Sequence, residues 1–212
     1  MVNKPLESMI KDTFFQTPIH YEEKPEWVDK LNTVCEPYLN DAKTVLKNVI
    51  KKRGTDYGYV YHSNEIASDK KLKFFYDYVG QKSAEFLLDM GYSLKNHSLH
   101  FTEMWVQEFP KDGGGAHPQH VHANSHVSGF YFLDTQGSYP MFFDPRTRLE
   151  MISLPQQDKT KLTMSSSFIS WKIQPGTLIL IPAYIMHEYV PQTKQPFKFI
   201  HFNVQAIEKR FR

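Results

Sequence analysis

The sequence contains one cysteine among 212 residues, Cys35, so no disulfide can form within the chain and a reducing compartment is the default expectation. A lone cysteine in the helical Leu-Asn-Thr-Val-Cys segment is expected as a small buried hydrophobe. Charge of one sign is also missing. The formal net charge is +2, which leaves no electrostatic footprint of a nucleic-acid or anionic-membrane binder. The basic runs Lys51-Lys52-Arg53, ahead of Gly54, and Lys209-Arg210-Phe211-Arg212 read as a helix end and a solvated tail. No apolar run approaches the roughly 20 residues of a membrane span, and the N-terminus lacks a signal-peptide pattern. No repeat or low-complexity tract occurs. A soluble, cytoplasmic protein is expected.

What is present is a hydrophobic fraction of 41% with 15% aromatics, enough for one sizeable core. A single domain over residues 1–212 is expected, with a helical layer in 1–98 and a β core in 99–212. Pro25 opens a candidate helix with Trp27, Val28, Leu31 and Val34. A second follows Asp41, with Val45, Leu46, Val49 and Ile50 as its core face. A third runs from about Asp69 to Met90 and stops at Gly91. The tyrosines of Asp56 to Tyr61 suit a short extended segment packed under a loop. From Leu99 the pattern becomes β, in short runs at Leu99 to Phe109, Val127 to Asp134, Tyr139 to Phe143, Phe168 to Ile173, Thr177 to Ile181 and Phe197 to Ala206. Pro175-Gly176 suits the centre of a type II turn. The fold class is α+β, mainly β, with N-terminal helices packed on one sheet of a sandwich or barrel.

Histidine is the concentrated residue type. Four of ten, His117, His120, His122 and His126, lie within ten positions, just after Gly113-Gly114-Gly115, and His187 follows a Pro-bounded strand. Neutral imidazole is the commonest protein ligand of transition metals. Residues two apart share a strand face, so His120 and His122 can grip one ion with a third ligand from a distant strand. The pattern admits a mononuclear non-haem iron site, a three-histidine zinc site that activates water, or histidines that merely line a loop.

The stretch Trp105 to Leu133, with its glycine run, His120-Val-His122 and Ser128-Gly129-Phe-Tyr131, resembles a subgroup of the 2-oxoglutarate and Fe(II)-dependent oxygenases found in bacteria and phages. The resemblance continues through Phe143-Asp144-Pro145-Arg146, Pro175-Gly176 to Pro182, His187 and Phe202-Asn203. Even the opening Phe15-Gln16-Thr17-Pro18-Ile19 is similar. It implies a double-stranded β-helix, or jelly roll. It also implies Fe(II) as metal, 2-oxoglutarate as co-substrate, and O2 with an unidentified substrate as reaction partners.

Carried over residue by residue, the resemblance makes His120, His122 and His187 the metal ligands. His122 stands where most of the superfamily has Asp or Glu, which alters ligand charge and redox tuning. His126 is expected beside the site or at the surface, and His117 exposed in the loop. The co-substrate's far carboxylate needs a cation or hydroxyl, usually an arginine. That position is Phe197 here, which leaves Lys198, Arg146 or Tyr131 as anchors. Lys198 lies on the opposite strand face unless a bulge intervenes. Arg146 has an alternative role in a turn paired with Asp144. Gln107, on the Trp105 face, and Asn203 are further co-substrate candidates, while Trp105 and Trp171 are read as core. The implied reaction is hydroxylation of a C–H bond with release of succinate and CO2, with the glycine run as a lid or a tight turn. A hydrolytic zinc enzyme and a non-catalytic binding module remain alternatives.

Overall fold

The fold is that of a computed structural model, in which residues 13, 15–53, 60–110, 117–146, 154–170, 172–189 and 193–209 are described. The glycine run at 113–115, the tyrosines at 57 and 59, Trp171 and the last three residues lie outside the described residues.

Helix α1 (Val28–Arg53) follows a 3-10 turn over Pro25–Trp27, where proline at the start loses no helical hydrogen bond. The two helices expected on either side of residue 40 are one, and it runs straight through Pro37. The reason is burial. Leu31, Cys35 and Leu39, four residues apart, are at most 2% exposed and make a continuous stripe against the sheet. An interior proline costs about 3 kcal/mol, which several side chains buried at roughly 1.5–3 kcal/mol each offset. The stripe expected after Asp41 is not a core face, since Val45 is 61% exposed. Burial pushes the Cys35 thiol up to about 12, consistent with an inert filler.

Helix α2 (Lys73–Asp89) follows the short turn Lys70–Leu72, whose first amides are capped by Asp69: its Oδ1 accepts from the Lys71 amide at 2.8 Å. The helix buries Phe75, Val79, Ser83, Phe86 and Leu87, and the chain leaves it through Gly91 at φ +86°.

Among the described residues, ten strands form two antiparallel sheets. They are β1 (His20–Glu23), β2 (Tyr61–His62), β3 (His97–Phe109), β4 (His117–His120), β5 (Val127–Thr135), β6 (Pro140–Phe143), β7 (Phe168–Ser170), β8 (Thr177–Pro182), β9 (His187–Tyr189) and β10 (Phe197–Glu208). The large sheet has the order β1-β8-β5-β10-β3-β2, and the small one β4-β9-β6-β7. β1 and β2, from the N-terminal part of the chain, thus complete the edges of the large sheet. This is an open double-sheet jelly roll with helices on one face.

Alternation along the large-sheet strands divides the interior into two cores. Met104, Val106, Val127, Tyr131, Leu178, Leu180, Ile200 and Phe202 face α1 and α2. Trp105, Phe109, Phe130, Phe132, Ile179, Ile181, Phe197 and Phe199 face the small sheet. The turn at Pro175-Gly176 forms as its residues require. Gly176 has φ +95°, and a Cβ there would lie 2.5 Å from the Pro25 Cα, so glycine lets the turn abut the start of α1. No helix among the described residues is long and apolar enough to cross a membrane.

Candidate metal centre

The inter-sheet core becomes polar at one end, where β4 and β9 face β3 and β10. His120 ends β4 and pairs with His187 at the start of β9, with an irregular register between His117 and His120. His122 has already left the strand, held by its amide, which donates to the Ala183 carbonyl at 3.0 Å. His120 and His122 therefore come near each other by a route other than the same-face argument for His-Val-His. The chain beyond the end of β4, tied to Ala183, and not strand alternation, carries the His122 ring to its neighbours. Its ring lies 4.9 Å from that of His120 and 5.1 Å from that of His187, and the His120–His187 distance is 4.3 Å.

One ligating nitrogen from each of His120, His122 and His187 falls within 4.8 Å of the others, a spacing one metal ion can span. The other nitrogen of each ring is committed to an acceptor. His120 Nδ1 lies 2.8 Å from the Pro118 carbonyl, and His187 Nδ1 lies 3.0 Å from the Ile185 carbonyl. His122 Nδ1 is 3.4 Å from Glu103 Oε1. Carbonyls and a carboxylate only accept, so each Nδ1 carries the proton and each Nε2 is left with a free lone pair. His122 Nε2 and His187 Nε2 then face each other at 3.3 Å with no proton between them. Two nitrogens bound to one ion at about 2.1 Å stand roughly 3.0–3.4 Å apart, so the donor set fits a metal cation.

Burial keeps the His120 and His187 rings neutral. Desolvation holds His187 well below the usual histidine range and lowers His120, each reinforced by neighbouring histidines. The same cause brings His117 and His201 down to about 3. Groups with depressed folded values give stability that is full above their unfolded value near 6.5 and is lost as pH falls toward the folded value. Metal-free protein is therefore expected to lose several degrees of melting temperature between pH 7 and pH 5. A melting temperature flat across that range, measured by scanning fluorimetry with chelator present, would contradict the neutral cluster.

Glu103 and His201 were not among the residues expected at the site. Glu103 shares the strand face of Trp105 and Gln107, and His201 pairs across from Trp105 in β10. His201 Nε2 lies 3.5 Å from Glu103 Oε1, and the His201 ring stacks on that of His122 at 4.4 Å. Asn203 Nδ2 donates to the same carboxylate oxygen, and Asn203 Oδ1 accepts from Ser128 Oγ. Hydrogen bonding from His122 first and His201 second holds the Glu103 carboxyl far below its usual range. Glu103, His122 and His201 form a second group close enough to hold a metal. The available signal was an acid and an amide at alternate positions of an otherwise aromatic strand face.

The other expected residues divide. Gln107 is buried, with Nε2 3.4 Å from His117 Nδ1 and Oε1 without a partner. His117 is half-buried, not exposed, because it stacks on His120 at 4.2 Å. His126 is exposed beyond a turn with Asn124 at φ +60°, and its Nδ1 accepts from the Ala206 amide.

Tyr131, Arg146 and Lys198 do not converge on the histidines. Tyr131 faces the helices and donates to the Lys24 carbonyl at 2.7 Å. Arg146 is exposed and closes the turn through Asp144 and the Met164 carbonyl. Lys198 lines a cavity beside α1 with Asn32, Glu36 and Asp134. The β5–β10 irregularity beside it skips Leu133 in β5, which leaves Lys198 on the helix side. Tyr189, two residues after His187, is fully buried with an unpartnered hydroxyl among Phe130, Phe132, Phe197 and Phe199. It was not anticipated.

Fold and site together define a class: a jelly roll with a histidine-rich centre between its two sheets. Residues 103–198, which take in all three histidines, match the family model described as "Putative 2OG-Fe(II) oxygenase". Over that span, somewhat less than half of the chain, the protein resembles the 2OG-Fe(II) oxygenases, oxidoreductases whose cofactors are Fe(II) and 2-oxoglutarate. A search of curated proteins finds no match. Solved structures share the fold. The prolyl-4-hydroxylase of Pseudomonas putida aligns over 92% of this chain and 94% of its own, with 10% identity and a TM-score of 0.53. AviO1 from Streptomyces viridochromogenes aligns over 89% and 90%, with 11% identity and a TM-score of 0.54. EctD from S. alaskensis, solved with 2-oxoglutarate and 5-hydroxyectoine, aligns over 92% and 74%, with 12% identity and a TM-score of 0.58.

Proposed function

We propose that the chain is a 2-oxoglutarate- and Fe(II)-dependent dioxygenase that hydroxylates a C–H bond of its substrate. The observation that carries this reading is the convergence of three Nε2 lone pairs with each Nδ1 proton already committed. His120, His122 and His187 would hold Fe(II) on one face and leave its other positions open. When bound, iron supplies the oxidising chemistry: O2 places one oxygen in the substrate and one in succinate, with loss of CO2. The chain's own residues bind and orient. Burial keeps the His120 and His187 imidazoles unprotonated at neutral pH and so competent as ligands.

No arginine stands at the core end of β10, where Phe197 is fully buried. The co-substrate would instead be held by neutral groups. Gln107 can turn either end of its amide inward, and Tyr189 has a buried hydroxyl to donate. Asn203, occupied by Ser128 and Glu103, acts as a positioning residue. A cavity of about 600 Å³, lined by Ile19, Phe142, Phe168, Ile169 and Ile185 together with Asp144 and Arg146, shares with the centre's surroundings the Phe142 ring, 6.3 Å from that of His187. It would seat the substrate.

Anaerobic reconstitution with Fe(II) should give one metal per chain and 2-oxoglutarate binding that requires it. Exposure to O2 should then produce succinate. An all-histidine donor set also suits a hydrolytic zinc enzyme. Stoichiometric native zinc with no 2-oxoglutarate binding after iron reconstitution would establish that second reading and overturn the first.

A further inference from the structure

We propose that Glu103 supplies the negative charge that the ligand set lacks, acting on the metal through the His122 ring. The proposal rests on the reading that His120, His122 and His187 hold Fe(II). Of the three groups that accept an Nδ1 proton from this trio, two are neutral backbone carbonyls, at Pro118 and Ile185. The third is the Glu103 carboxylate, 3.4 Å from His122 Nδ1. A carboxylate behind a ligating imidazole fixes its tautomer and strengthens it as a donor. The missing carboxylate at position 122 is thus displaced one bond network outward, from the ligand itself to the ligand's partner. Glu103 is a positioning residue in this arrangement, not a ligand.

The other seat on offer, Glu103 with His122 and His201, fits less well. Glu103 Oε1 already accepts from the Asn203 amide and lies near His122 Nδ1 and His201 Nε2. An amide N–H aimed at the same oxygen presents positive hydrogen where a cation would have to sit. The strands are built for the first arrangement. Asn203 pairs with Glu103 across β10–β3 and with Ser128 across β10–β5, so the carboxylate is oriented from two neighbouring strands.

The test is anaerobic Fe(II) titration of the full chain, with the Fe(III)/Fe(II) potential of the loaded protein as a second readout. Glu103→Gln keeps size and shape but removes the charge. It is expected to weaken Fe(II) binding roughly 10- to 100-fold at unchanged stoichiometry and to shift the potential positive. His201→Phe, which keeps a flat aromatic ring between Trp105 and Phe130 though a larger one, is expected to keep the affinity within about threefold of the parent. Unchanged affinity and potential in Glu103→Gln would overturn the proposal, even if the metal-free melting temperature fell, since that would leave a structural role only. Loss of binding in His201→Phe as complete as in His187→Ala would overturn it too, by placing the metal on the Glu103 side. A parent chain that binds no Fe(II) would overturn the reading of the centre itself, a result distinct from tight parental binding that Glu103→Gln leaves untouched.

Discussion

His187→Ala is expected to weaken Fe(II) binding by more than about 100-fold and to abolish 2-oxoglutarate-dependent succinate formation. Removing a group behind a ligand costs roughly 10- to 100-fold in affinity, so removing the ligand itself should cost more. His187 has no exposed surface and is packed by Phe130 and Phe142, so no outside group can take its place. The alanine variant also leaves a cavity, and His187→Gln separates the two effects by restoring volume and a polar tip without the imidazole. Both should lose metal, measured by equilibrium dialysis, while the glutamine variant stays nearer the parental melting temperature. His126→Ala is the matched control. It removes an exposed histidine from the same cluster and should leave metal binding and turnover within about twofold. Succinate formation by His187→Ala at a rate near the parent's would refute the three-histidine centre.

Gly129→Ala should be the most damaging single methyl group in the large sheet. A Cβ on Gly129 would lie 2.0 Å from the Phe202 Cζ and 2.3 and 2.6 Å from the ring atoms beside it. Phe202 is fully buried, hemmed in by Phe75 and Phe101 at 6.1 and 5.9 Å, so its ring cannot swing aside without disturbing the helix-facing core. Overpacking of this kind costs about 3 kcal/mol, which for a chain of this size is roughly 6–12 °C in melting temperature. Phe202→Leu in the Gly129→Ala background should recover part of the loss, as a double-mutant cycle would show. Equal stability of Gly129→Ala and the parent would mean that the ring does not cover the glycine. The metal centre should suffer as well. Ser128 is the next residue in β5 and Phe202 the one before Asn203, so shifting the two strands disturbs the Ser128–Asn203–Glu103 chain.

Much of this molecule follows from local pattern. The alternation of Val127 to Asp134 and Phe197 to Ala206 marks strands because a pleated chain repeats every two residues. Pro175-Gly176 makes its turn because glycine alone enters positive φ without cost. The family and its fold were legible in the ordered motifs from Trp105 to Asn203. The break expected near residue 40 came from reading Asp41 as the start of a second helix with Val45, Leu46, Val49 and Ile50 as its core face. It failed because burial of Leu31, Cys35 and Leu39 against the sheet outweighs the local cost of proline, and burial is not a local property.

The centre shows the same division. The sequence by itself determined that imidazoles cluster near His120 and that Phe197, not a cation, closes the core end of β10. Only the tertiary structure decided which polar groups meet them. The β10–β3 register sets Asn203 opposite Glu103 and His201 opposite Trp105, across about 100 residues of chain. A slip of one position would send each of these side chains to the helix-facing core. The alternation that marks a strand says nothing about its partner or its register. Those follow from the packing of the whole, which is why Arg146 and Lys198, cations close to the motif in sequence, lie away from the centre, while Glu103 stands behind His122.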